Sequence, residues 1–163
     1  MSSIIVAVTN DNAIGLKGEL LYRVGADMKH FRSITMGHPI VMGRKTFESF
    51  PNGPLPGRRN IVVSRNPGFK ADGIELYDNL MDALRAAGDE AFVIGGAEIY
   101  RQAIDWVDTL YLTRFDVSRP DADTFFPEIN QEHWIIVDAS PSFHDDKNGI
   151  DYKFVELKRK KNG

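Results

Sequence analysis

Cysteine is absent from all 163 residues, which removes disulfides, thiolate nucleophiles and cysteine metal ligands and suits a reducing cytosol. Long apolar runs are missing too. The opening MSSIIVAVTNDN has no basic leader and its apolar stretch ends after a few residues, so it reads as a first strand, neither signal peptide nor membrane span. Charge is nearly balanced: a formal net charge of −3 gives no reason to expect nucleic acid or an anionic membrane as partner. The one dense cationic run, KRKK at 158–161, reads as a solvated tail. His30, His38, His133 and His144 show no metal-ligand spacing, so no metal is expected. There is no GxSxG elbow, Walker A loop or GxGxxG fingerprint. DADT at 121–124 is acidic but lacks further ligands and reads as a loop turn. Trp106, Trp134, Phe92 and Phe154 read as core rather than as stacking platforms.

What is present is an ordinary soluble composition, 42% hydrophobic and 26% charged, in a chain long enough for one domain spanning 1–163. Short β-rich runs alternate with helical spacing. SIIVAVT reads as a strand, the segment from Asp27 as a helix, PIVMG as a strand, and RKTFESF as a helical turn or two. PNGPLPGRRN is a loop, NIVVS a strand, and NLMDALRAAG a helix stopped by glycine. AFVIG is the next strand and GAEIYRQAIDWV the next helix, after which TLYLTRF, HWIIVD and YKFVELK follow without helices. The pattern predicts an α/β fold: a central, mostly parallel mixed sheet with an antiparallel C-terminal edge and helices on both faces.

Two strand ends look alike, VMGRKT at 41–46 and VIGGAE at 93–98, each a buried strand running through glycine into a helix. At the carboxyl edge of a parallel sheet, such junctions offer free N–H groups to phosphate, and Gly43 and Gly96 would let it approach. Tight turns use the same glycines for steric reasons alone, so either reading fits a single junction. Arg44, Lys45, Ser64 and Arg65 add charge and donors suited to a ribose phosphate, or are plain solvated surface. Arg58 and Arg59 are either solvated or grip an anionic substrate. In VGADMKHFRSIT, Val24, Met28, Phe31 and Ile34 share one helical arc, and Asp27 lies inside it. It is either a first-turn or capping acid, or a carboxylate held in an apolar cleft where it could bond a heterocycle.

Taken in order, IIVAVTNDNAIG (4–15), ADMKHFRSIT (26–35), GHPIVMGRKTFES (37–49), PLPGRRNIVVSRNPG (54–68), FVIGGAEIY (92–100), LYLTRF (110–115) and ADTFFP (122–127) resemble the dihydrofolate reductase family over nearly the whole chain. The resemblance implies NADPH-dependent reduction of 7,8-dihydrofolate to tetrahydrofolate in the cytoplasm, by a monomer open to antifolates such as trimethoprim or methotrexate. It implies that Asp27 bonds the pterin edge with Thr113 beside it. It places Ile5, Val6, Ala7, Met28, Phe31, Phe50, Leu55, Ile94 and Tyr100 around the pterin and benzoyl groups, and Arg58 on the glutamate α-carboxylate. Gly43, Arg44, Lys45, Thr46, Ser64 and Arg65 correspond to the adenosine and pyrophosphate side of NADPH. Ala7, Ile14, Gly15, Gly95, Gly96, Ala97, Ile99 and Tyr100 correspond to its nicotinamide stretch, with a cis peptide between Gly95 and Gly96. Residues 15–24 correspond to a loop over the nicotinamide, with Leu20 at its tip.

Four places depart from the family's pattern. Leu21-Tyr22 stands for Pro-Trp and Gly25 for a frequent proline, both expected to loosen the loop, while Tyr22 keeps a polar-tipped aromatic beside the acid. Glu98 stands where some relatives carry a basic residue, and PNGP is a residue longer than in some. Two rivals stay open: a reductase of a phosphorylated riboflavin-pathway pyrimidine, against which Asp27 argues, and a non-catalytic nucleotide-binding fold.

Overall fold

The computed structural model describes residues 2–161. The chain begins in the middle of its own sheet. In β1 (Ser3–Thr9), Ile4, Val6 and Val8 face one core and Ile5 the other. The strand is apolar from Ile4 to Val8 because both of its faces are covered. β2 (Ala13–Leu16) and β3 (Glu19–Leu20) form a short hairpin, and α1 (Gly25–Thr35) leads to β4 (Ile40–Gly43). After α2 (Arg44–Glu48) come β5 (Asn60–Val63), β6 (Ile74–Tyr77), α3 (Leu80–Ala87), β7 (Phe92–Gly95) and α4 (Ala97–Ala103). β8 (Thr109–Phe115), β9 (Thr124–Phe125), β10 (Trp134–Ala139), β11 (Phe143–Asp145) and β12 (Ile150–Arg159) complete the order.

The nine-stranded sheet runs β10-β12-β8-β1-β7-β4-β5-β6, with β11 beside β12. β6, β5, β4, β7, β1 and β8 are mutually parallel, and β12 returns antiparallel against β8 and pairs with β10 and β11. That is the predicted mixed sheet with its antiparallel edge. α3 and α4 bring Leu80, Ala83, Ile99 and Ala103 onto one face, and α1 and α2 bring Phe31, Ile34 and Phe47 onto the other. The chain moves outward from β1 to β4, β5 and β6, then returns to lay β7 between β4 and β1. A reversal of this kind marks where open α/β sheets bind ligands, here the carboxyl ends of β1, β4 and β7.

Several local expectations change. α1 starts at Gly25 rather than Asp27, its N-cap is Val24, and no side chain caps it, so Asp27 sits in the first turn without capping. IELY after Gly73 forms β6, a half-buried edge strand too short and mixed to stand out, and β2, β3 and β9 form a separate three-stranded sheet. In DADT, Asp123 accepts Lys17 N–H at 2.9 Å and Thr124 opens β9, so the turn feeds a strand. Trp134 and Phe92 are buried and Phe154 half-buried, but Trp106 is 53% exposed. Its helix ends at Ala103, and Val107 takes the core position instead.

The supposed tail meets the end of this helix. Lys158 and Arg159 close β12, and only Lys160 and Lys161 follow it within the described residues. Lys158 Nζ donates to Thr109 Oγ1 at 2.7 Å. The Arg159 guanidinium lies 4.5 Å over the Trp134 ring and donates to the carbonyls of Ile104 (2.5 Å) and Val107 (2.8 Å), which the end of α4 leaves without helical partners. Arg159→Ala is expected to lower stability by about 1–3 kcal/mol, because charged hydrogen bonds to two carbonyls are lost. Urea melts against Lys160→Ala, expected to match wild type, read this directly.

Among the described residues no helix is long and apolar enough to cross a membrane, and no group of three or more His, Asp or Glu side chains could hold a metal.

Candidate active site

The apolar arc of α1 lies against the sheet at the crevice and carries Asp27 with it. Thr113, on β8 and only 3% exposed, donates its hydroxyl to the Asp27 carboxylate at 2.5 Å. A buried hydroxyl needs an acceptor, and this one crosses from sheet to helix to find it. Burial raises the Asp27 pKa above the ordinary carboxylate value, while the Thr113 bond and the charge of nearby His30 pull the other way. Burial, with a smaller push from Asp27, also holds the Tyr100 phenol protonated, and its hydroxyl donates to Ile5 O at 3.0 Å.

Around this acid, Ile5, Phe31, Ile34, Phe50, Leu55 and Ile94 belong to one apolar cluster with Met42 and Phe47. Ala7 is half-buried beside Tyr22. Met28 is 56% exposed, a rim rather than a wall. Val6 turns to the opposite face, among the side chains of α3 and α4.

Arg58 and Arg59 separate clearly. Arg59 makes a two-toothed bond to Glu75, at 2.8 and 2.7 Å, and is occupied. Arg58 is anchored by Pro56 O (2.9 Å) and by Thr35 Oγ1 (3.1 Å), and the Thr35 hydroxyl in turn donates to Phe31 O at the end of α1. Partial burial and the charge of Arg32 both push its pKa down, yet a guanidinium remains charged. Among the described residues no carboxylate pairs with Arg58, whose positive charge suits one on a ligand.

The two glycine junctions lie side by side, because β4 pairs with β7. Gly43 and Gly96 precede α2 and α4 and no side chain caps either helix. The Gly95–Gly96 peptide is cis. A Cβ at Gly43 would stand 3.2 Å from Ile99 Cγ1, and one at Gly95 3.2 Å from Thr46 Oγ1. These glycines therefore keep open a cradle that larger residues would fill. Arg44 pairs with Glu48 at 3.6 Å and Lys45 is exposed, while Ser64 and Arg65 line a groove of about 560 Å³ with Pro67, Leu76 and Tyr77. Glu98 does not stand alone toward that groove: Arg101 binds it at 2.7 Å and, with Gln102 and the charge of Arg65, keeps its carboxyl below the usual range.

The β2–β3 hairpin lies beside β1 and pairs with β9. Leu20, on β3, is 64% exposed, and Gly15 pairs with Leu20 and Thr124. Ile14 packs at the edge of the α3–α4 core, while Ala97 begins α4. The Tyr22 ring meets Phe115 edge-on at 5.3 Å, and the Arg119 guanidinium stands 5.5 Å from its centre. Arg119 is itself fixed by Asp121 at 2.9 Å. Lys17 N bonds Asp123, Asp123 N bonds Gly15 O at 3.2 Å, and Asn148 Nδ2 reaches Arg23 O at 3.1 Å. Where Leu21 and Gly25 remove proline, these bonds tie the segment down at both ends.

Two residues at this site escape sequence reading. His30 falls on the polar arc, yet its ring stacks on Phe154 with centroids 3.8 Å apart. Its spacing from Asp27, a single helical turn, was the available signal. Arg119 gave none, being a lone cation in a loop far from Tyr22 in sequence.

The sequence profile of the dihydrofolate reductase family matches residues 1–159. Among curated proteins, the chain is 42% identical over 161 residues to dihydrofolate reductase type 3 of Salmonella typhimurium, covering 98% of each. It is 37% identical to the dihydrofolate reductase of Bacillus subtilis, covering 98% of this chain and 95% of the other. A solved dihydrofolate reductase of Enterococcus faecalis, complexed with NADP(H) and RAB-propyl, superposes with a TM-score of 0.88 at 32% identity, covering 99% of this chain and 97% of that one.

Proposed function

Because the chain belongs to the dihydrofolate reductase family, we propose the following division of labour for its reduction of dihydrofolate with NADP(H). The observation that carries it is the Asp27–Thr113 pair, a hydrogen-bonded carboxylate on the arc of α1 that otherwise carries Phe31 and Ile34 into the apolar cluster.

Asp27 accepts the 2-amino and N3 protons of the pterin through two oxygens. Burial disfavours its charge in the free protein, so a ligand presenting two N–H donors, or a protonated pterin, restores that charge and is bound tightly for doing so. Thr113 fixes the carboxylate's orientation and Tyr100 bonds the β1 backbone that floors the site. Ile5, Ala7, Phe31, Phe50, Leu55 and Ile94 exclude water around the rings, with Met28 at the rim and Val6 contributing through its backbone. Arg58 takes the glutamate α-carboxylate.

The residues present fit a dinucleotide, since two helix starts lie side by side at Gly43 and Gly96, capped by no side chain and with no Cβ between backbone and ligand. NADPH, when bound, would supply hydride from nicotinamide C4 to pterin C6. Gly43, Arg44, Lys45, Thr46, Ser64 and Arg65 would hold its adenosine and pyrophosphate, while Ala7, Ile14, Gly15, Gly95, Gly96, Ala97, Ile99 and Tyr100 would line its nicotinamide stretch. No general acid reaches pterin N5 on this reading, so Leu20 and Tyr22 admit the water that protonates it. The enzyme works as a cytoplasmic monomer, one domain over residues 1–163, and antifolates such as trimethoprim or methotrexate compete at Asp27.

The test is loss of NADPH absorbance on adding dihydrofolate to purified protein, repeated with NADH. Turnover with NADPH, weaker by about tenfold or more with NADH, is expected if Arg44 and Ser64-Arg65 read the ribose phosphate through charge-assisted bonds. NADPH binding without turnover of dihydrofolate would leave only a nucleotide-binding fold.

A further inference from the structure

His30 has no part in the division of labour above, and its surroundings are unusual for a residue on the polar arc of a helix. Its imidazole lies almost flat on Phe154, centroids 3.8 Å apart and planes 19° from parallel. Phe154, on β12, stands directly across from Thr113 on β8, and Thr113 donates to Asp27, one turn before His30. Thr113 is hydrogen-bonded to Asp27 and pairs across the strands with Phe154, Phe154 stacks on His30, and His30 follows Asp27 by one helical turn.

We propose that His30 is a positioning residue for the Asp27 carboxylate, its ring held on Phe154 so that imidazole and acid gain and lose protons as one linked pair. This rests on the reading of Asp27 as the pterin acid. Stacking fixes the imidazole in χ space and keeps it half out of water, close enough for charge on one partner to be felt by the other. Burial lowers the His30 pKa and the Asp27 charge opposes that; burial raises the Asp27 pKa and the His30 charge opposes that. Burial draws the two titrations toward each other, and their mutual charge holds them apart. Other ionisable groups are further removed in influence: Lys29 and Arg32 on α1, Glu156 and Tyr152 on β12, and Tyr111 on β8 share this side of the sheet, and none of them shifts His30. Burial favours the uncharged imidazole. As pH falls it takes a proton and holds Asp27 ionised to lower pH than burial alone would permit.

The experiment follows the Asp27 carboxyl by NMR in protein labelled with ¹³C-aspartate, without ligands, in wild type, His30→Phe and His30→Gln. Phe keeps the stack and removes the charge; Gln removes both but stays polar. The expected result is an Asp27 midpoint displaced upward by several tenths of a pH unit in both variants, with the acid limb of kcat/KM for dihydrofolate moving the same way. Thermal melts of His30→Phe should match wild type, which a purely structural role for the ring charge also allows but which that role could not combine with a moved midpoint. An Asp27 curve superimposable on wild type in His30→Phe overturns the linkage. Because the readout needs no folate, it stands apart from the identity of the ligand: an Asp27→Asn enzyme with normal turnover would sink the pterin reading while leaving this titration measurable.

Discussion

Asp27→Asn is expected to lower dihydrofolate turnover by about 10²–10³-fold at neutral pH, the range seen when a site loses one pre-aligned electrostatic partner. Asparagine still accepts from the Thr113 hydroxyl, so the fold and cofactor site should persist. What disappears is the negative charge that favours a protonated pterin, and activity should partly return as pH falls and bulk solvent supplies that proton. Stability should move in the opposite direction. The Asp27 pKa is raised on folding, so the protonated form is the one the fold prefers. Below the unfolded pKa both states are protonated and the group is neutral to stability; as pH rises from there through the folded pKa, the unfolded chain ionises first and the fold loses ground. At pH 7 the wild type bears that penalty in full and the asparagine variant does not. Melting at pH 7 should therefore be at least as high in Asp27→Asn, with the gap closing below the ordinary carboxylate range. Unchanged turnover would reduce Asp27 to a first-turn acid of α1.

This opposition explains what could be read from the sequence. Asp27 stood out because it broke an apolar arc, and a residue that violates a local pattern is most visible when the violation serves the site. The sheet was legible for the same kind of reason. β1, β4, β5 and β7 are continuous apolar runs because both faces are covered, and the glycines that end β4 and β7 announce their turns. β6, β9 and β11 were not legible: each is short, and each owes its existence to a neighbouring strand rather than to its own pattern. Arg159 shows the limit from the other side. Within KRKK its composition says solvent, yet tertiary contact puts its guanidinium on Trp134 and on the carbonyls beyond α4. The same holds for His30 and for the Arg119–Tyr22 contact, whose partners lie far away in sequence and whose geometry no periodicity encodes.

Arg58→Ala is expected to raise KM for dihydrofolate by about 10–100-fold while leaving a pterin without glutamate nearly unaffected, since one charge-assisted pair contributes about 1.5–3 kcal/mol. The argument is one of preorganisation. Nε is spent on Pro56 O and one Nη1 proton on Thr35 Oγ1, so the guanidinium plane is set before any ligand arrives. Thr35 is completely buried and its own hydroxyl is committed to Phe31 O, so the anchor cannot swing away. Fixing a long side chain in advance removes entropy that binding would otherwise have to offset. Arg32 adds a second positive charge, which the two arginines tolerate only because solvent screens it, and which a bound carboxylate would relieve. Thr35→Val tests the anchor separately from the charge: it keeps the guanidinium but frees it to move, and should raise KM by a smaller factor than Arg58→Ala with kcat unchanged. Equal losses for the glutamate-bearing and glutamate-free pterins would refute the contact, because a general weakening of the crevice, unlike the loss of one ion pair, does not distinguish between them.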